Sequence, residues 1–524
     1  MQLQHSFQRE CAQAERKLIT QHGEMLGITE VSVTLIVFLL IVQFLKLQWT
    51  RRQLPPGPTP LPIIGNLWLL DFKLQREDLL KLTNIYGNIY TLWMGQTPVI
   101  VLNGYKAIKD GLISHSQEIS GRPLTPFYRD LMGEKGIFLT SGHTWNQQRR
   151  LGMTFLKSLG LGKKSLEHRI QEETRHLVEV FASQKGKPFD PHTHIVHAVA
   201  NVICAVVFGH RFSSEDDSFN RLIKAIYFVI FLQATNWGRM YDAFPWLMHY
   251  IPGPHQTVFA YNDFMHNLVK NEGRGHEARW KEDDPQDLID FYLAQIAKTK
   301  DDPTSTFNED NMVQTVVDLL LGGTETTTIT LCWALLYMLQ YPDIQEKVQK
   351  ELETVLEPSQ LIHYEDRKKL PYTNAVIHEI LRYSNITAVG APRQCVKDTT
   401  VLGFPIEKGT IVLPNLHSAV YDSEHWETPW KFNPSHFLDS DGNFVNNEAF
   451  LPFSAGTERG KQGLVWKEWK FLLPPALWPF FQHPCSCTVS HSPGGSSSQR
   501  AASVGGGFIS LLNTRQKGKV VYKR

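Results

Sequence analysis

The chain has 524 residues, 42% of them hydrophobic and 11% aromatic, which is enough to bury a large core. Its 53 lysines and arginines are balanced by 52 aspartates and glutamates, which argues against the basic surface of a nucleic-acid-binding protein. Six cysteines are too few for a disulfide framework in so long a chain and fit a reducing compartment. Length alone predicts three or four ordinary domains.

The chain begins with a polar tail, residues 1–24, followed by an apolar stretch from Met25 to Trp49 that is long enough to cross a bilayer. Lys46, Arg51 and Arg52 flank the far end of this stretch, and this positive charge predicts that the rest of the chain is cytosolic. Because no small-residue cleavage site is evident, a retained transmembrane anchor is favoured over a cleaved signal peptide. A buried core helix is disfavoured because no neighbouring element could bury it.

A proline-rich linker over residues 50–62 comes next, and its Pro-Pro-Gly-Pro sequence predicts a stiff, non-helical connection. The two short apolar runs Ile89–Met94 and Pro98–Leu102 are separated by a glycine turn and predict a β-hairpin. From residue 104 to 350 apolar residues recur at helical spacing. We find no internal repeat.

An apolar segment from about Asn308 to Tyr341 predicts one unusually long helix, ended by Pro342. The spacing of Thr306 and Glu309 is typical of a capping box at its start. A helix of this length is expected to run through the core.

The middle of this helix carries residues that weaken a helix. Gly322 and Gly323 each cost roughly 1 kcal/mol relative to alanine, and Glu325 is a carboxylate among leucines. The hydroxyls of Thr326, Thr327 and Thr328 can bond back to the helix carbonyls and bend the helix. A flat group could lie against the glycines, and an acid beside an alcohol can relay protons. The alternative is a kinked core helix whose glutamate reaches solvent.

Two further pairs are spaced to share a helix face. Trp145 and Arg149 lie one turn apart, and an indole with a guanidinium suits an anion such as a carboxylate. The alternative is an exposed helix with a cation–π contact. Glu379 and Arg382 are three residues apart and can form an ion pair that locks the local fold if it is buried.

These motifs occur in a fixed order: an anchor, Pro-Pro-Gly-Pro, Trp-x-x-x-Arg, Gly-Gly-x-Glu-Thr-Thr, Glu-x-x-Arg, Phe-x-Pro-x-x-Phe and Phe-Ser-x-Gly. The ordered set strongly resembles a microsomal cytochrome P-450, a heme-thiolate monooxygenase. The amino-acid sequence of segments such as 162–167, 252–256 and 371–375 looks most like family 2, subfamily J. The resemblance covers residues 25–456 and implies one large, mostly α domain with a small β region, in place of several domains.

The resemblance also implies roles for individual residues. Glu325 and Thr326 match the catalytic acid–alcohol pair that delivers protons at the site of oxygen activation. The residues implied to bind heme are Trp145, Arg149, Gly322, Gly323 and Arg393. Glu379 and Arg382, with His436 as the third member, match a structural network behind the heme.

The same resemblance implies partners and a place in the cell. Electrons from NADPH would arrive through a reductase, with cytochrome b5 as a second candidate donor. The substrate would be lipophilic, with polyunsaturated fatty acids as the class, and residues such as Phe228 to Leu232 are expected to line its pocket. The catalytic domain would face the cytosol on the endoplasmic reticulum membrane.

The sequence departs from the family after Phe453-Ser454-Ala455-Gly456. There the family continues x-Arg-x-Cys-x-Gly, and its cysteine is the axial thiolate of the heme iron. Here Glu458, Gly460 and Gln462 hold the arginine, cysteine and glycine positions. A glycine has no side chain to bind iron. The family domain, residues 63–456, is therefore expected to be incomplete at its C-terminal end.

Residues 457–524 have serine- and glycine-rich runs that predict a divergent, disordered tail. Cys485 and Cys487, with His483 and His491 nearby, form the one cluster there that could replace the ligand, but no helix is predicted to position it. Two hypotheses follow: an active monooxygenase, or a non-catalytic, heme-deficient form made by alternative splicing or a frameshift.

Overall fold

The computed structural model describes residues 30–455, except for 71–75, 159–163, 186, 188, 234, 280–284 and 358–362. Three predictions fall outside the described residues: the N-terminal tail, residues 25–29 of the anchor, and the divergent segment with Gly460, Cys485 and Cys487. All statements below concern the described part of the chain.

The described residues are mostly α-helical, as predicted, with a small β region. The helices are α1 (Glu30–Arg51), α2 (Arg76–Tyr86), α3 (Gly104–Lys109), α4 (Pro126–Met132), α5 (Gly142–Ser158), α6 (Lys164–Ser183), α7 (His192–Val207), α8 (Asp217–Gln233), α9 (Asn236–Ala243), α10 (Pro245–Met248), α11 (Pro254–Arg279), α12 (Leu288–Lys298), α13 (Glu309–Gln340), α14 (Pro342–Val355), α15 (Pro371–Ser384) and α16 (Leu416–Val420).

The β region consists of one four-stranded sheet and one two-stranded sheet. The strands are β1 (Ile89–Met94), β2 (Thr97–Leu102), β3 (Arg393–Gln394), β4 (Thr399–Val401), β5 (Phe404–Ile406) and β6 (Ile411–Pro414). The larger sheet has the order β1-β2-β6-β3, in which β2 and β6 are parallel and the other pairs antiparallel. β1 and β2 form the predicted hairpin, with Ile89 opposite Leu102.

Two helices are long and apolar enough to cross a membrane. α1 has a mean hydropathy of 2.1 over its apolar window, only 6% of which is buried, and exposes side chains such as Val31 and Phe38. α13 passes the same test of length and composition, but 67% of its window is buried. α13 is therefore a core helix, whereas the exposed apolar surface of α1 is what the anchor prediction requires.

α13 runs without interruption through the core and packs against α7, α8, α11 and α15. Val316 and Leu320 on this helix are fully buried, as is Ile380 on α15. Burial of this kind stabilises a helix by roughly 1.5–3 kcal/mol per large apolar side chain. That contribution offsets the two adjacent glycines in the middle of α13.

The N-terminus of α13 differs from the prediction. Asn308, not Thr306, is the N-cap residue, and its side chain accepts a hydrogen bond from the backbone N–H of Asn311. Thr306 instead donates to Gln147 Oε1 on α5 at 2.8 Å. The capping-box prediction was therefore wrong, because the threonine hydroxyl has a partner on another helix and asparagine caps equally well.

Candidate functional site

Of the three predicted threonine bonds of α13, those of Thr326 and Thr328 are present, whereas Thr327 Oγ1 is buried with no hydrogen-bond partner among the described residues. Thr326 Oγ1 donates to the carbonyl of Gly322 at 2.7 Å, and Thr328 and Thr330 bond to the carbonyls of Thr324 and Thr326 in the same way. Each hydroxyl is thus held against its own helix, and its proton is directed to the preceding turn. Thr326 is half-buried and Thr328 fully buried, so only Thr326 is partly accessible from outside the helix.

Glu325 is a buried carboxylate whose side chain is 5% exposed. His192, the first residue of α7, lies with its Nε2 3.9 Å from Glu325 Oε1, and its side chain is 33% exposed. The backbone N–H of His192 donates to Asp190 Oδ1 at 2.9 Å, which holds the start of α7 in place. A titratable group therefore stands between the buried acid and the surface. Sequence reasoning missed His192 because α7 and α13 are far apart in the chain.

Asp318 is a second buried carboxylate on α13, one that the sequence analysis also overlooked. Its Oδ2 accepts the backbone N–H groups of Ile137 and Phe138 at 2.7 and 2.9 Å, and its Oδ1 accepts Gln314 Nε2 at 2.9 Å. These bonds attach the loop before α5 to the core helix. Burial raises the pKa of Asp318 to about 6, although the three hydrogen bonds oppose this. The signal in the sequence that could have identified Asp318 is a carboxylate within an apolar helical run.

Trp145 and Arg149 share one face of α5, as predicted. The guanidinium carbon of Arg149 lies 5.5 Å from the centre of the Trp145 ring, and both side chains are half-buried. The cation–π contact of the alternative interpretation is therefore present. A half-buried guanidinium stacked on indole still presents its N–H groups to an anion.

Arg393, at the start of β3, is a buried cation with spare donor capacity. Its side chain is 3% exposed, its Nη2 lies 3.4 Å from Ser454 Oγ, and its Nε has no hydrogen-bond partner among the described residues. Burial, and secondarily the neighbouring Arg122, hold the pKa of Arg393 well below its usual value. A buried guanidinium beside a second arginine is suited to bind an anion whose negative charge neutralises both guanidinium groups.

The predicted pair Glu379–Arg382 is fully buried and bidentate, with both N–O distances at 2.7 Å. Arg382 also donates to the carbonyls of Val420, Pro429 and Lys431. His436 Nδ1 lies 3.3 Å from Glu379 Oε2, so the three residues meet as predicted. This network joins α15 to the loops that follow α16.

The chain resembles known proteins over most of its length. Residues 55–459 match the family model for Cytochrome P450. The chain belongs to the cytochrome P450 family. It is 42% identical to cytochrome P450 2J5 of Mus musculus over 439 residues, 84% of this chain and 87% of that protein.

Other P450 relatives give the same result. Cytochrome P450 2J2 of Homo sapiens is 42% identical over 421 residues, 80% of this chain and 84% of that protein. Cytochrome P450 2F2 of Rattus norvegicus is 40% identical over 436 residues, 81% of this chain and 87% of that protein. The predicted family and fold class are therefore confirmed, and similarity to the 2J proteins agrees with the predicted subfamily.

The P450 family implies a heme-iron cofactor, and the residues present fit it on one side only. The unpartnered Nε of buried Arg393 fits a heme carboxylate. The match to the family model, however, ends at Arg459, immediately before Gly460. Among the described residues the free cysteines are Cys204, Cys332 and Cys395, all outside the loop that should carry the iron ligand.

Proposed function

We propose that residues 63–455 form the scaffold of a monooxygenase that inserts one oxygen atom into lipophilic substrates, with polyunsaturated fatty acids as the substrate class. The observation that carries this proposal is the segment of α13 where buried Glu325 adjoins Thr326 and the two glycines, in a P450 chain. The fatty-acid class and the reactions proposed, epoxidation and hydroxylation, rest on the resemblance of the sequence motifs to subfamily J, with which the similarity to 2J proteins agrees.

In this proposal heme, when bound through a thiolate, activates dioxygen. Glu325 takes protons from solvent on the side where His192 lies. Thr326, the next residue of α13, passes them on. Gly322 and Gly323 leave room for the porphyrin beside the helix. Trp145, Arg149 and Arg393 bind the two propionates; the half-buried stack on α5 and the spare Nε of Arg393 support this assignment.

Substrate selection in this proposal depends on apolar side chains of α13 and of α8, which packs against it. Leu319 is partly buried, and Phe228 on α8 is 41% exposed, so both have surface that a lipid could cover. The segment from Phe228 to Leu232 lies on a helix that packs against α13. Glu379, Arg382 and His436 act only structurally, since their network is sealed from solvent.

The cellular setting forms part of the proposal. α1 anchors the chain in the endoplasmic reticulum membrane, and Arg51 and Arg52 at its end hold the domain on the cytosolic side. Electrons from NADPH reach the domain through a membrane reductase, with cytochrome b5 as a second donor. NADPH itself does not bind this chain.

A second function is favoured by one specific residue. Because Gly460 stands where the family has its iron-binding cysteine, this chain would be a non-catalytic, heme-deficient, membrane-anchored form of such an enzyme. The resemblance stops abruptly at that point, which favours alternative splicing or a frameshift over gradual divergence. Under this proposal the structural network and the anchor persist while oxygen activation is lost.

A reduced carbon-monoxide difference spectrum on membranes that contain the full chain distinguishes the two functions. A companion chain that carries the family's Arg-x-Cys-x-Gly ending after Gly456 is measured in parallel. A thiolate–carbonyl band in the companion alone supports the scaffold and makes the full chain the inactive form. A band in both shows that the tail supplies a ligand, which Cys485→Ser and Cys487→Ser would remove. A band in neither contradicts the proposed scaffold.

A further inference from the structure

A buried cluster of potential metal ligands lies away from the site described above, where α11 ends and α12 begins. It consists of His276 in the last turns of α11, Asp287 at the N-cap of α12 and Asp290 in the first turn of α12. The three residues are 0%, 2% and 9% exposed. One ligand atom from each, a ring nitrogen or a carboxylate oxygen, lies within 4.8 Å of the other two.

The orientation of His276 favours a cation at this point. Its Nδ1 lies 2.8 Å from the carbonyl oxygen of Glu272, a contact that requires a proton on Nδ1. In the neutral ring Nε2 then carries a lone pair, and it faces Asp287 Oδ2 at 2.7 Å. Two electron-rich atoms at this distance repel each other unless a proton or a metal ion lies between them. Metal-binding histidines commonly donate their other ring N–H to a backbone carbonyl in this way.

Asp290 provides a second, independent observation. Its Oδ2 accepts the backbone N–H of Gln286 at 3.1 Å, but its Oδ1 is buried and has no hydrogen-bond partner among the described residues. A buried carboxylate oxygen without a partner is unfavourable, and such atoms usually indicate an unseen ion or water. The carboxyl group that carries this oxygen belongs to the same cluster as Asp287 and His276.

The aspartates are positioned before any ligand arrives. Asp287 Oδ1 accepts the backbone N–H of Asp290 at 3.0 Å, which leaves Oδ2 for the cluster. On the other side, the turn after α7 approaches closely, since a Cβ atom added to Gly209 would lie 2.6 Å from Asp287 Oδ2. Only glycine fits at that position, where its φ of +76° also favours glycine. The carboxylate is therefore held from two directions.

We propose that His276, Asp287 and Asp290 bind a zinc ion that joins α11 to α12. Imidazole with two carboxylates is a ligand set that suits zinc better than calcium or magnesium, which prefer oxygen alone. In a tetrahedral site, ligand distances of roughly 2.0–2.2 Å place two ligand atoms about 3.4 Å apart, so the 2.7 Å separation of Nε2 and Oδ2 must widen by about 0.7 Å. The ion balances the charge of the two buried aspartates, and a water completes a tetrahedral set.

The chain offers a matched control elsewhere on its surface. Asp422, Glu424 and His425 also place three ligand atoms within 4.8 Å of one another, but they are half-buried or exposed. Asp422 already accepts backbone N–H groups from Tyr105 and Glu424. This second cluster is less buried than the first, and its unpartnered atom is His425 Nδ1, 3.5 Å from Asp422 Oδ2, instead of a carboxylate oxygen. It is therefore not expected to retain zinc.

The test measures zinc bound to the purified full chain after dialysis with zinc chloride and then into zinc-free buffer. All variants carry Cys485→Ser and Cys487→Ser, so that thiolates of the tail do not contribute. The parent is expected to retain about one zinc ion per chain, with a thermal midpoint roughly 2–4 °C higher than with a chelator. Asp290→Asn and His276→Gln should each lose the ion and the shift, whereas Glu424→Gln should lose neither.

Asp290→Asn is the more informative change, because an asparagine can still accept the N–H of Gln286 and should preserve the fold. Retention of zinc by this variant would overturn the proposal, as would a parent chain that keeps no zinc. If Asp290→Asn has a higher thermal midpoint than the parent when both are measured with chelator, the unpartnered oxygen of Asp290 merely destabilises the parent. That result would also contradict a metal site. Heme is not needed for any of these readouts.

Discussion

Asp318 is a residue whose ionisation opposes folding. Its carboxyl is buried, and burial raises its pKa from the usual 3.8 to about 6. Between these values the folded chain binds a proton that the unfolded chain has already released. The contribution of Asp318 to stability is therefore highest below pH 4 and is lost as the pH rises to 6. The upper limit of that loss is about 3 kcal/mol, since one pKa unit corresponds to about 1.4 kcal/mol.

Replacement of Asp318 by asparagine should abolish this pH dependence. The amide oxygen can still accept the N–H groups of Ile137 and Phe138, so the loop before α5 stays attached. We expect the thermal midpoint of the parent, relative to Asp318→Asn, to fall between pH 4 and 6 and to be constant above pH 7. Thermal scans in detergent from pH 4 to 8 would measure this difference.

Asp310→Asn is the control for that series. Lys135 is the main cause that lowers the pKa of Asp310, so its stabilising contribution is present above pH 4 and is lost only below it. If the thermal midpoints of the parent and of Asp318→Asn change in parallel across pH 4–6, the carboxyl of Asp318 is not buried as described.

The Glu379–Arg382 pair gives a second prediction for single residues. Both side chains are fully buried, and Arg382 donates five hydrogen bonds, two of them to Glu379. Glu379→Gln would leave the guanidinium without a counter-charge, at a cost of about 3–5 kcal/mol in the free energy of unfolding. Denaturant unfolding of the full chain would measure it.

An exposed pair provides the comparison. Glu365 and Lys368 form an ion pair at the surface, and Glu365→Gln should leave the unfolding midpoint nearly unchanged. Equal effects from Glu379→Gln and Glu365→Gln would mean that burial does not determine the strength of the network.

At the scale of the element, two of the threonines that bond to the α13 backbone share the same local geometry but differ in exposure. Thr326 and Thr328 each donate to the carbonyl four residues earlier, at 2.7 and 2.8 Å. Valine in place of either keeps the shape and removes that bond. Because such a bond is local and its loss leaves only a helix carbonyl that is already bonded, we expect changes of about 0.5 kcal/mol or less.

Their functional effects should differ. In the companion chain with a thiolate ending, Thr326→Val should raise the peroxide released per NADPH consumed several-fold, because the proton donor next to Glu325 is gone. Thr328→Val should not, since its hydroxyl is buried inside the helix packing. Simultaneous measurement of peroxide and NADPH would test this. Similar uncoupling in both variants would assign the effect to packing instead of proton delivery.

Elements with a local signal were predictable, and contacts between distant elements were not. The length of α13 and the hairpin around Gly95 depend on neighbouring residues, and the structure confirms both. The predicted threonine bonds are confirmed for Thr326 and Thr328 but not for Thr327. The capping-box prediction failed because Thr306 bonds to Gln147 on another helix. His192 beside Glu325 and the loop beside Asp318 were missed for the same reason: their partners are brought together only by the packed fold.

At the scale of the whole molecule, the side chains proposed for proton delivery and propionate binding lie within the described domain, whereas the position expected for the iron ligand lies beyond it. α13, α5 and β3 supply the acid, the alcohol and the basic side chains, while the sequence after Gly456 supplies no thiolate at Gly460. The segments on either side of this boundary should therefore contribute unequally to stability. We expect the core around α13 to fold whether or not residues 457–524 are present.

Truncation after Gly456 tests that inequality. We expect the truncated chain to unfold at the same temperature as the full chain, because residues 457–524 have no pattern of a packed domain. The companion ending should instead raise the midpoint, because a ligand that binds only the folded state stabilises it by about 2.7 kcal/mol at a hundred times its dissociation constant. Thermal scans with added hemin would compare the three chains. If the truncated chain unfolds at a lower temperature than the full chain, the tail packs on the domain. If the companion chain shows no hemin-dependent shift of its thermal midpoint, the missing thiolate is not what limits heme binding.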